Sequence, residues 1–285
     1  MKNLTDIRYV KSLLSRHGFH FSKKLGQNFL IDPSVCPQIA EMGNAKAGQG
    51  ILEIGPGIGT LTQQLAMRAE RVTAVELDSR LFPILEETVG EFQNLHILSG
   101  DILKFSVPEL LEQEFPGMPV SVCANLPYYI TTPILMHLLE SGADIETITV
   151  MVQKEVADRI AATPGNKTYG GYTAKLGLYA QVTGRFEVPP RCFMPAPNVD
   201  SAVVRIDRVD GVVPEGLDRE FVARVIDAAF AQRRKTIRNS MSANGFAKDV
   251  LDAAFEACGI APTTRAETLD VADFVRLARE LSHDA

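Results

Sequence analysis

Short strand-like runs alternate with helical runs along much of this chain, and no other feature limits its fold as strongly. The strand-like runs are apolar and rich in β-branched residues, whereas the runs between them repeat apolar residues at helical spacing. This alternation predicts an α/β fold with a parallel, doubly wound sheet. The predicted strands are Gly50–Ile54, Arg71–Val75, Leu95–Leu98, Val120–Ala124 and Thr147–Val152, and the predicted helices between them are Thr60–Arg68, Ser79–Val89, Pro108–Gln113 and Pro133–Glu140.

The pattern changes near residue 208, where we place a domain boundary. Before it, a helix near Gln153–Ala162 and a loop, Thr163–Gly171, precede two strands that complete the sheet, Thr183–Val188 and Ala202–Ile206. After it, the turn-like Arg208–Gly216 leads to three helical runs, Asp218–Ala231, Lys248–Cys258 and Val271–Leu281. The prediction is an N-terminal arm (1–30), an α/β domain (31–208) and a small helical domain (209–285).

The distribution of charge marks two basic segments on an acidic chain. The net charge is −6, yet residues 1–30 hold six basic residues against one acid, and residues 228–248 hold five basic residues and no acid. Because salt screens charges beyond roughly 8–10 Å, each basic segment keeps its own attraction for phosphate. Two surfaces that bind nucleic acid are one interpretation, and ordinary solvated faces are the other.

Cysteine usage and hydropathy indicate the cellular compartment in which the protein works. The four cysteines are far apart and form no CxxC pair, which favours reduced thiols over disulfides or a zinc site. No run of about eighteen apolar residues is present, and the start of the chain does not have a signal-peptide pattern. His17 and His20 lack nearby acids or cysteines, so we predict no metal site. We expect a cytoplasmic protein with no membrane partner.

A glycine-rich turn, Glu53-Ile54-Gly55-Pro56-Gly57-Ile58-Gly59, follows the first predicted strand of the sheet. Glycine lets the backbone turn tightly and approach a ligand where a helix begins. The dinucleotide fingerprint Gly-x-Gly-x-x-Gly fails here, because Thr60 occupies the place of its last glycine. The turn therefore indicates a ligand other than a nicotinamide dinucleotide, and a turn without any ligand is the alternative.

Two acidic residues follow the next two strands. Glu76 is placed where a carboxylate accepts hydrogen bonds from the ribose hydroxyls of a nucleoside, and Asp101 is placed to accept from the exocyclic amine of an adenine. Either acid alone is more often a helix cap. Their order after the glycine-rich turn, at successive strand ends, indicates a nucleoside-containing ligand.

The fourth strand ends in Asn125-Leu126-Pro127-Tyr128-Tyr129. Proline favours extended backbone at Leu126 and removes one backbone donor, which leaves carbonyl groups free to accept. The Asn125 side-chain oxygen and a neighbouring carbonyl match the two hydrogens of an exocyclic amine, and Tyr128 offers a face for stacking. Acceptors on both N–H groups would concentrate the nitrogen lone pair for attack on an electrophile, so catalysis would rest on orientation and electrostatics.

These motifs resemble those of the class I S-adenosylmethionine methyltransferases, with Glu53–Gly59 similar to their first motif, Val75–Asp78 to their second and Asn125–Tyr128 to the fourth motif of their amino-group branch. Over about residues 20–280 the chain resembles, more narrowly, the ribosomal RNA adenine dimethyltransferases. That resemblance is carried by Lys24–Leu30, Gln153–Arg159, Phe193–Val203, Phe230–Lys235 and Arg265–Leu269. One departure, Tyr169–Lys175, replaces a more usual Tyr-Gly-x-Leu-Ser-Val run in what we take for a substrate-side loop.

The resemblance implies S-adenosylmethionine as cofactor, S-adenosylhomocysteine as product and specific residue roles. The implied cofactor contacts are Asn28, Leu30, Gly55, Glu76, Asp101 and Asn125, to which we add Gln27, Glu53, Gly57 and Ile102. The target adenine is expected to lie against Asn125, Leu126 and Tyr128, with Phe193 as a second stacking wall or, alternatively, a core aromatic. The predicted RNA contacts are Lys23, Lys24, Arg233, Arg234, Lys235 and Arg238.

Within that family the resemblance favours dimethylation of the N6 groups of two adjacent adenines, in a hairpin loop near the 3′ end of small-subunit rRNA, by a monomer acting in ribosome assembly. Leu126, where the resistance branch more often has isoleucine, and the motifs at Phe193–Val203 and Arg265–Leu269 point to this branch. The alternatives are a large-subunit rRNA dimethyltransferase of the macrolide-resistance type and a non-catalytic assembly factor. The intact Asn125–Tyr128 turn argues against loss of catalysis.

Overall fold

A computed structural model describes residues 2–22 and 26–282 of the chain. The chain forms two compact units: Met1–Ala157 with Val182–Arg208, and Asp158–Gln181 with Val209–Ala285. The chain crosses between the units three times, and the third crossing, after Arg208, lies at the boundary placed near residue 208. The expected continuous α/β domain 31–208 is interrupted, because residues 158–181 belong to the second unit.

Nine strands are present among the described residues, and seven of them form one sheet. All seven strands of this sheet were predicted from sequence, and the structure extends six of them by one to three residues. The strands are β1 (Phe29–Leu30), β2 (Gly50–Ile54), β3 (Arg71–Glu76), β4 (Leu95–Ser99), β5 (Val120–Asn125), β6 (Ile145–Gln153), β7 (Ala180–Val188), β8 (Phe193–Met194) and β9 (Ser201–Arg208).

The order of the large sheet is β4-β3-β2-β5-β6-β9-β7. Strands β2 to β6 pair in parallel, as predicted, whereas β9 runs antiparallel to β6 and makes the sheet mixed. The chain winds one way from β2 through β3 to β4 and then returns to the other side of β2 with β5. Ligands of open α/β sheets bind beyond the carboxyl ends of the strands at such a reversal, so the topology itself places a crevice there.

Helices cover the sheet and build the second unit. The first unit contains α1 (Ile7–Arg16), α2 (Val35–Met42), α3 (Thr60–Ala66), α4 (Phe82–Val89), α5 (Val107–Glu114) and α6 (Thr131–Glu140). They are followed by α7 (Lys154–Ile160), α8 (Gly171–Leu176), α9 (Arg219–Phe230), α10 (Ile237–Ala243), α11 (Lys248–Cys258) and α12 (Val271–Ser282). Within residues 2–22 and 26–282, every helix is too short or too polar to cross a membrane.

The N-terminal segment is a packed helix rather than the basic arm expected from sequence. Val10, Leu13 and Leu14 are spaced i, i+3 and i+4 on α1, and all three are buried in a cluster with Ile84 and Leu85 of α4. Burying side chains of this kind contributes roughly 1.5–3 kcal/mol each. The charged residues of α1 occupy its other faces, so α1 is an amphipathic helix. The number of basic residues in this segment does not by itself reveal its apolar face.

The second unit has its own apolar core, and this core explains why residues 158–181 belong to it. Tyr169 is buried among residues of the C-terminal helices such as Val222, Phe255 and Phe274. Its hydroxyl donates a hydrogen bond to the carbonyl of Leu269 at 3.0 Å. The departure at Tyr169–Lys175 thus begins with a core residue of the helical unit and continues into α8, and is not simply a loop.

Candidate active site

A cavity lies beyond the carboxyl ends of β2, β3 and β5, at the reversal of the sheet. Its empty volume is about 1100 Å³, open solvent at the mouth included. Each strand end contributes a polar side chain: Glu53 from β2, Glu76 from β3 and Asn125 from β5. The cavity brings together every residue predicted to contact the cofactor, and with them Leu126 and Tyr128; the predicted cofactor residues are Gln27, Asn28, Leu30, Glu53, Gly55, Gly57, Glu76, Asp101, Ile102 and Asn125.

The glycine-rich turn has a backbone conformation that favours glycine. Gly55 and Gly57 have φ of +71° and +60°, values at which a Cβ atom is strained. A Cβ on Gly57 would also lie 3.2 Å from the ring of Phe29, which lines the same cavity. The turn therefore leaves bare backbone facing the cavity, as the close approach of a ligand requires.

Glu76 is fixed by the glycine-rich turn itself. Its Oε2 accepts a hydrogen bond from the backbone N–H of Gly57 at 3.3 Å, and its Oε1 accepts from the N–H of Asp78 at 2.7 Å. Burial raises the pKa of Glu76, and these two N–H groups oppose that rise. The result is a preoriented acceptor at the end of β3, suited to the vicinal hydroxyls of a ribose.

Asp101 serves as a cap as well as lining the cavity. Its Oδ1 accepts from the N–H of Leu103 at 3.1 Å at the start of the short 3-10 turn Ile102–Lys104. The cap orients the carboxylate, and the adjacent Ile102 is buried. The helix-cap reading and the ligand reading of Asp101 are thus compatible.

Glu53 is buried at the end of β2 with an unsatisfied oxygen. Within the described part of the chain, its Oε2 has no hydrogen-bond partner. Burial, reinforced by the nearby Glu76 carboxyl, raises the pKa of Glu53 to about 8. A buried polar atom without a partner is rare in folded proteins and here borders the cavity, so it matches a ligand that brings a hydrogen-bond donor or a cation.

The turn after β5 leaves two acceptors for a ligand. The Asn125 Nδ2 donates to the carbonyl of Asn28 at 3.3 Å, which fixes the amide and leaves Oδ1 as the accepting atom. The N–H of Leu126 donates to the Met151 carbonyl at 3.2 Å, whereas the N–H of Ile130 bonds the carbonyl of Pro127. The Pro127 carbonyl is thus engaged by the protein, and the role of the neighbouring Leu126 carbonyl as a second acceptor stays a prediction.

The two tyrosines of this turn differ in environment. Tyr128 is half-buried, its hydroxyl lies 2.6 Å from the Ser201 hydroxyl, and burial raises its pKa. Tyr129 is 58% exposed and also lines the cavity, as does Leu77, which is 53% exposed and directly follows Glu76. Sequence reasoning missed Leu77 and Tyr129, although an apolar residue next to each predicted ligand residue was a usable signal.

The hydrogen-bonding and apolar groups of this cavity fit S-adenosylmethionine. Glu76 matches the ribose, Asp101 and the exposed Leu77 match the adenine, and the bare glycine turn with the unsatisfied Glu53 oxygen matches the polar methionine part. The sequence profile of the ribosomal RNA adenine dimethylase family matches residues 18–283. The chain belongs to this family. It is an S-adenosylmethionine-dependent rRNA adenine dimethyltransferase, which confirms the enzyme class and the cofactor predicted from sequence.

Individual relatives align with nearly the whole length of this chain. Ribosomal RNA small subunit methyltransferase A of Bacillus mycoides (strain KBAB4) is 45% identical, with 99% of this chain and 98% of the relative covered. The protein of that name from Bacillus anthracis (strain A0248) is also 45% identical with the same coverage. The crystal structure of 23S rRNA methyltransferase ErmE is 28% identical with a TM-score of 0.70, covering 90% of this chain and 100% of that one. A dimethyladenosine transferase from Plasmodium falciparum, 24% identical over 90% of this chain and 98% of its own, shares the fold with a TM-score of 0.75.

Phe193, predicted as a second stacking wall, is a core residue of the enzyme in this structure. It is 3% exposed and packs in a cluster that includes Cys36 and Ile39 of α2. Strand β8 pairs antiparallel with β1, with Phe193 opposite Leu30, and Phe193 is not among the described residues that line the cavity. The expected sandwich is therefore not formed here, and the alternative reading of Phe193 as a core aromatic describes its position.

The predicted RNA contacts belong to the segment before Gly26 and to the helical unit. Lys23 and Lys24 fall outside the described residues. In the helical unit, Arg238 pairs with Asp252 through two contacts of 2.5 and 2.6 Å. The other three are exposed between α9 and α10, where the Arg233 guanidinium donates to the carbonyl of Lys167 at 2.8 Å; they are Arg233, Arg234 and Lys235.

Proposed function

We propose that this enzyme dimethylates the N6 groups of two adjacent adenines in a hairpin loop near the 3′ end of small-subunit rRNA, late in ribosome assembly. The observation that carries the proposal is the Asn125–Tyr128 turn, whose two acceptors and aromatic ring lie in the same cavity as Glu76 and Asp101. The choice of subunit is supported by relatives at 45% identity whose name specifies the small subunit. ErmE, a 23S rRNA methyltransferase, is less similar at 28% identity.

The cofactor half of the cavity comprises the strand ends and the turn after β2. Glu76 accepts from the ribose hydroxyls, because its carboxylate is already aimed by the N–H of Gly57. When the cofactor is bound, Asp101 would accept from its adenine amine, and Leu77 would supply an apolar contact for the adenine. Glu53 and the glycine-rich turn would hold the methionine part. The bound cofactor supplies an electrophilic methyl group on a sulfonium.

The adenine half of the cavity is the turn after β5. The Oδ1 of Asn125 and the carbonyl of Leu126 each accept one hydrogen of the target N6 amine. Two acceptors favour a pyramidal nitrogen and direct its lone pair toward the methyl group, so they act where charge develops during transfer. Tyr128 stacks on the base, and its bond to Ser201 holds the ring in place. The base leaves its stack to reach these groups.

We further propose that the enzyme works as a cytoplasmic monomer on the small ribosomal subunit. The helical unit then contacts RNA through its exposed basic turn, Arg233, Arg234 and Lys235, rather than through Arg238, which is paired. Lys23 and Lys24 stay in the proposed RNA surface, since they precede the cavity residue Gly26 in the chain. A basic turn on an acidic protein attracts phosphate locally even though the net charge is −6.

Labelled S-adenosylmethionine and purified subunits test this proposal. The protein is incubated separately with small subunits that lack adenine dimethylation and with large subunits, and the rRNA is digested to oligonucleotides, which locate the label, and in parallel to nucleosides, which identify the modified base. We expect label in dimethyladenosine from two adjacent positions of the small-subunit rRNA. Label confined to large subunits would instead support the macrolide-resistance type. Binding to small subunits without any label would support a non-catalytic assembly factor.

A further inference from the structure

Residues Gly26–Leu30, here called the strap, border both halves of the cavity. All five of them line it. At one end Phe29 and Leu30 pair with β8, and the N–H of Ile31 donates to the Cys192 carbonyl at 2.8 Å. In the middle, the carbonyl of Asn28 accepts from Nδ2 of Asn125, so the strap orients the residue that faces the target amine.

The other end of the strap is tied to Asp78, two residues beyond Glu76. The Nε2 of Gln27 donates to Oδ2 of Asp78 at 2.8 Å, while Oε1 of Gln27 accepts from the N–H of Ser22 at 3.0 Å. Both ends of the Gln27 amide are thus engaged by the protein. This arrangement does not favour the cofactor contact that the sequence suggested for Gln27, although its residue does line the cavity.

Asp78 is built to remain an ionised acceptor. Its carboxylate is almost fully buried and also accepts from Arg80, through Nε at 2.8 Å and an NH2 group at 2.6 Å. The Arg80 guanidinium, followed by the Gln27 amide, holds the pKa of Asp78 below its usual range. Arg80 in turn lies over the ring of Phe19, 5.1 Å from its centroid. Hydrogen bonds to a charged, desolvated group are stronger than neutral ones.

We infer that Asp78 is a positioning residue for methyl transfer, because its carboxylate holds Gln27 and, through the strap, the Asn125 amide that faces the target amine. This inference rests on the proposed role of Asn125. Asp78 touches neither reactant. It connects the strand end that carries Glu76 to the turn that carries Asn125, so the cofactor and the target base are held at a fixed position relative to each other. A displacement of about 1 Å at such a site costs up to roughly a hundredfold in rate.

A swap of the hydrogen-bonding groups tests the inference. Gln27→Glu keeps the shape of the side chain but sets a carboxylate against Asp78 at hydrogen-bond distance, where like charges repel. Adding Asp78→Asn restores a donor–acceptor pair, because the Asn amide nitrogen donates to the new carboxylate, which still accepts from Ser22. The amide oxygen still accepts from Nε of Arg80, and the negative charge that faces Arg80 moves from position 78 to position 27, while the Arg80 NH2 group loses Oδ2 as its acceptor. We expect Gln27→Glu to lower kcat at saturating cofactor roughly tenfold or more, and the double variant to recover to within about threefold of the wild type.

The measurements are kcat and KM on small subunits, the cofactor Kd by calorimetry and the melting temperature. Gln38→Glu is the matched control, since Gln38 is exposed on α2 and outside the cavity. It should leave all these values unchanged. If the Gln27 amide contacts the cofactor directly, Asp78→Asn will not rescue Gln27→Glu, and the inference is overturned. Full activity of Gln27→Glu overturns it as well. An inactive wild type, by contrast, refutes the proposed function.

Discussion

Replacing Asn125 with alanine separates catalysis from binding at this site. The substitution removes Oδ1, the proposed acceptor for one hydrogen of the target amine, together with the 3.3 Å bond to Asn28. The Leu126 carbonyl and the Tyr128 ring stay in place, because Leu126 is anchored to Met151 and Tyr128 to Ser201. The variant therefore tests one acceptor of a pair.

The size of the effect follows from when the acceptor acts. A neutral hydrogen bond is worth about 0.5–1.5 kcal/mol net, and the long bond to Asn28 belongs at the low end of that range. A group aimed at charge that develops during the reaction is worth more, about 2.7–4 kcal/mol, or roughly 10²–10³ in kcat. We expect kcat to fall by that larger factor, with the cofactor Kd raised by less than about tenfold.

Single-turnover methylation of unmethylated small subunits at saturating cofactor measures the chemical step. Calorimetry with S-adenosylhomocysteine and filter binding with rRNA, run on the same preparation, show whether binding is retained. The reasoning is refuted if the variant methylates within about threefold of the wild-type rate while binding both ligands normally. In that case other groups hold the amine, and the turn after β5 is not the catalytic feature.

Three further predictions address the cofactor, pH and RNA. Glu76→Ala should raise the cofactor Kd by roughly 10–150-fold, since a charge-assisted bond to the ribose is worth about 1.5–3 kcal/mol, and unchanged calorimetric affinity in a folded variant would contradict this. Burial raises the pKa of Glu53 to about 8, so the folded state retains a proton that the unfolded state loses above about pH 4.3, and stability falls between those values as the pH rises. The melting temperature of Glu53→Gln should therefore exceed that of the wild type by a margin that grows from pH 5 to pH 8, and a constant margin would count against the raised pKa. Replacing the exposed basic residues Arg233, Arg234 and Lys235 by Gln should weaken RNA binding. It should also reduce the slope of the logarithm of the RNA affinity against the logarithm of the salt concentration by roughly 0.7–0.9 per lost contact. Arg238 is already paired with Asp252, so Arg238→Gln should leave this slope unchanged.

Local sequence patterns were sufficient to predict the sheet and the cavity. Strand and helix periodicity reflects which side chains are buried, and this holds along each element without reference to its neighbours. The residues Glu53, Glu76 and Asn125 stand at the ends of parallel strands, and parallel strands bring their carboxyl ends to one edge of the sheet. Their order in the chain therefore implied their proximity in space before any tertiary contact was known.

Contacts between distant segments decided the rest. Tyr169 belongs to the helical unit because its ring packs in the core of that unit and its hydroxyl donates to the Leu269 carbonyl. The local sequence pattern around Tyr169 does not indicate a partner a hundred residues away. Phe193 is turned into the core by the pairing of β8 with β1, which involves only two residues of each strand. Gln27 bonds Asp78 instead of remaining free for the cofactor. In each case the side chain's chemistry is compatible with several roles, and only the packing of remote elements selects one of them.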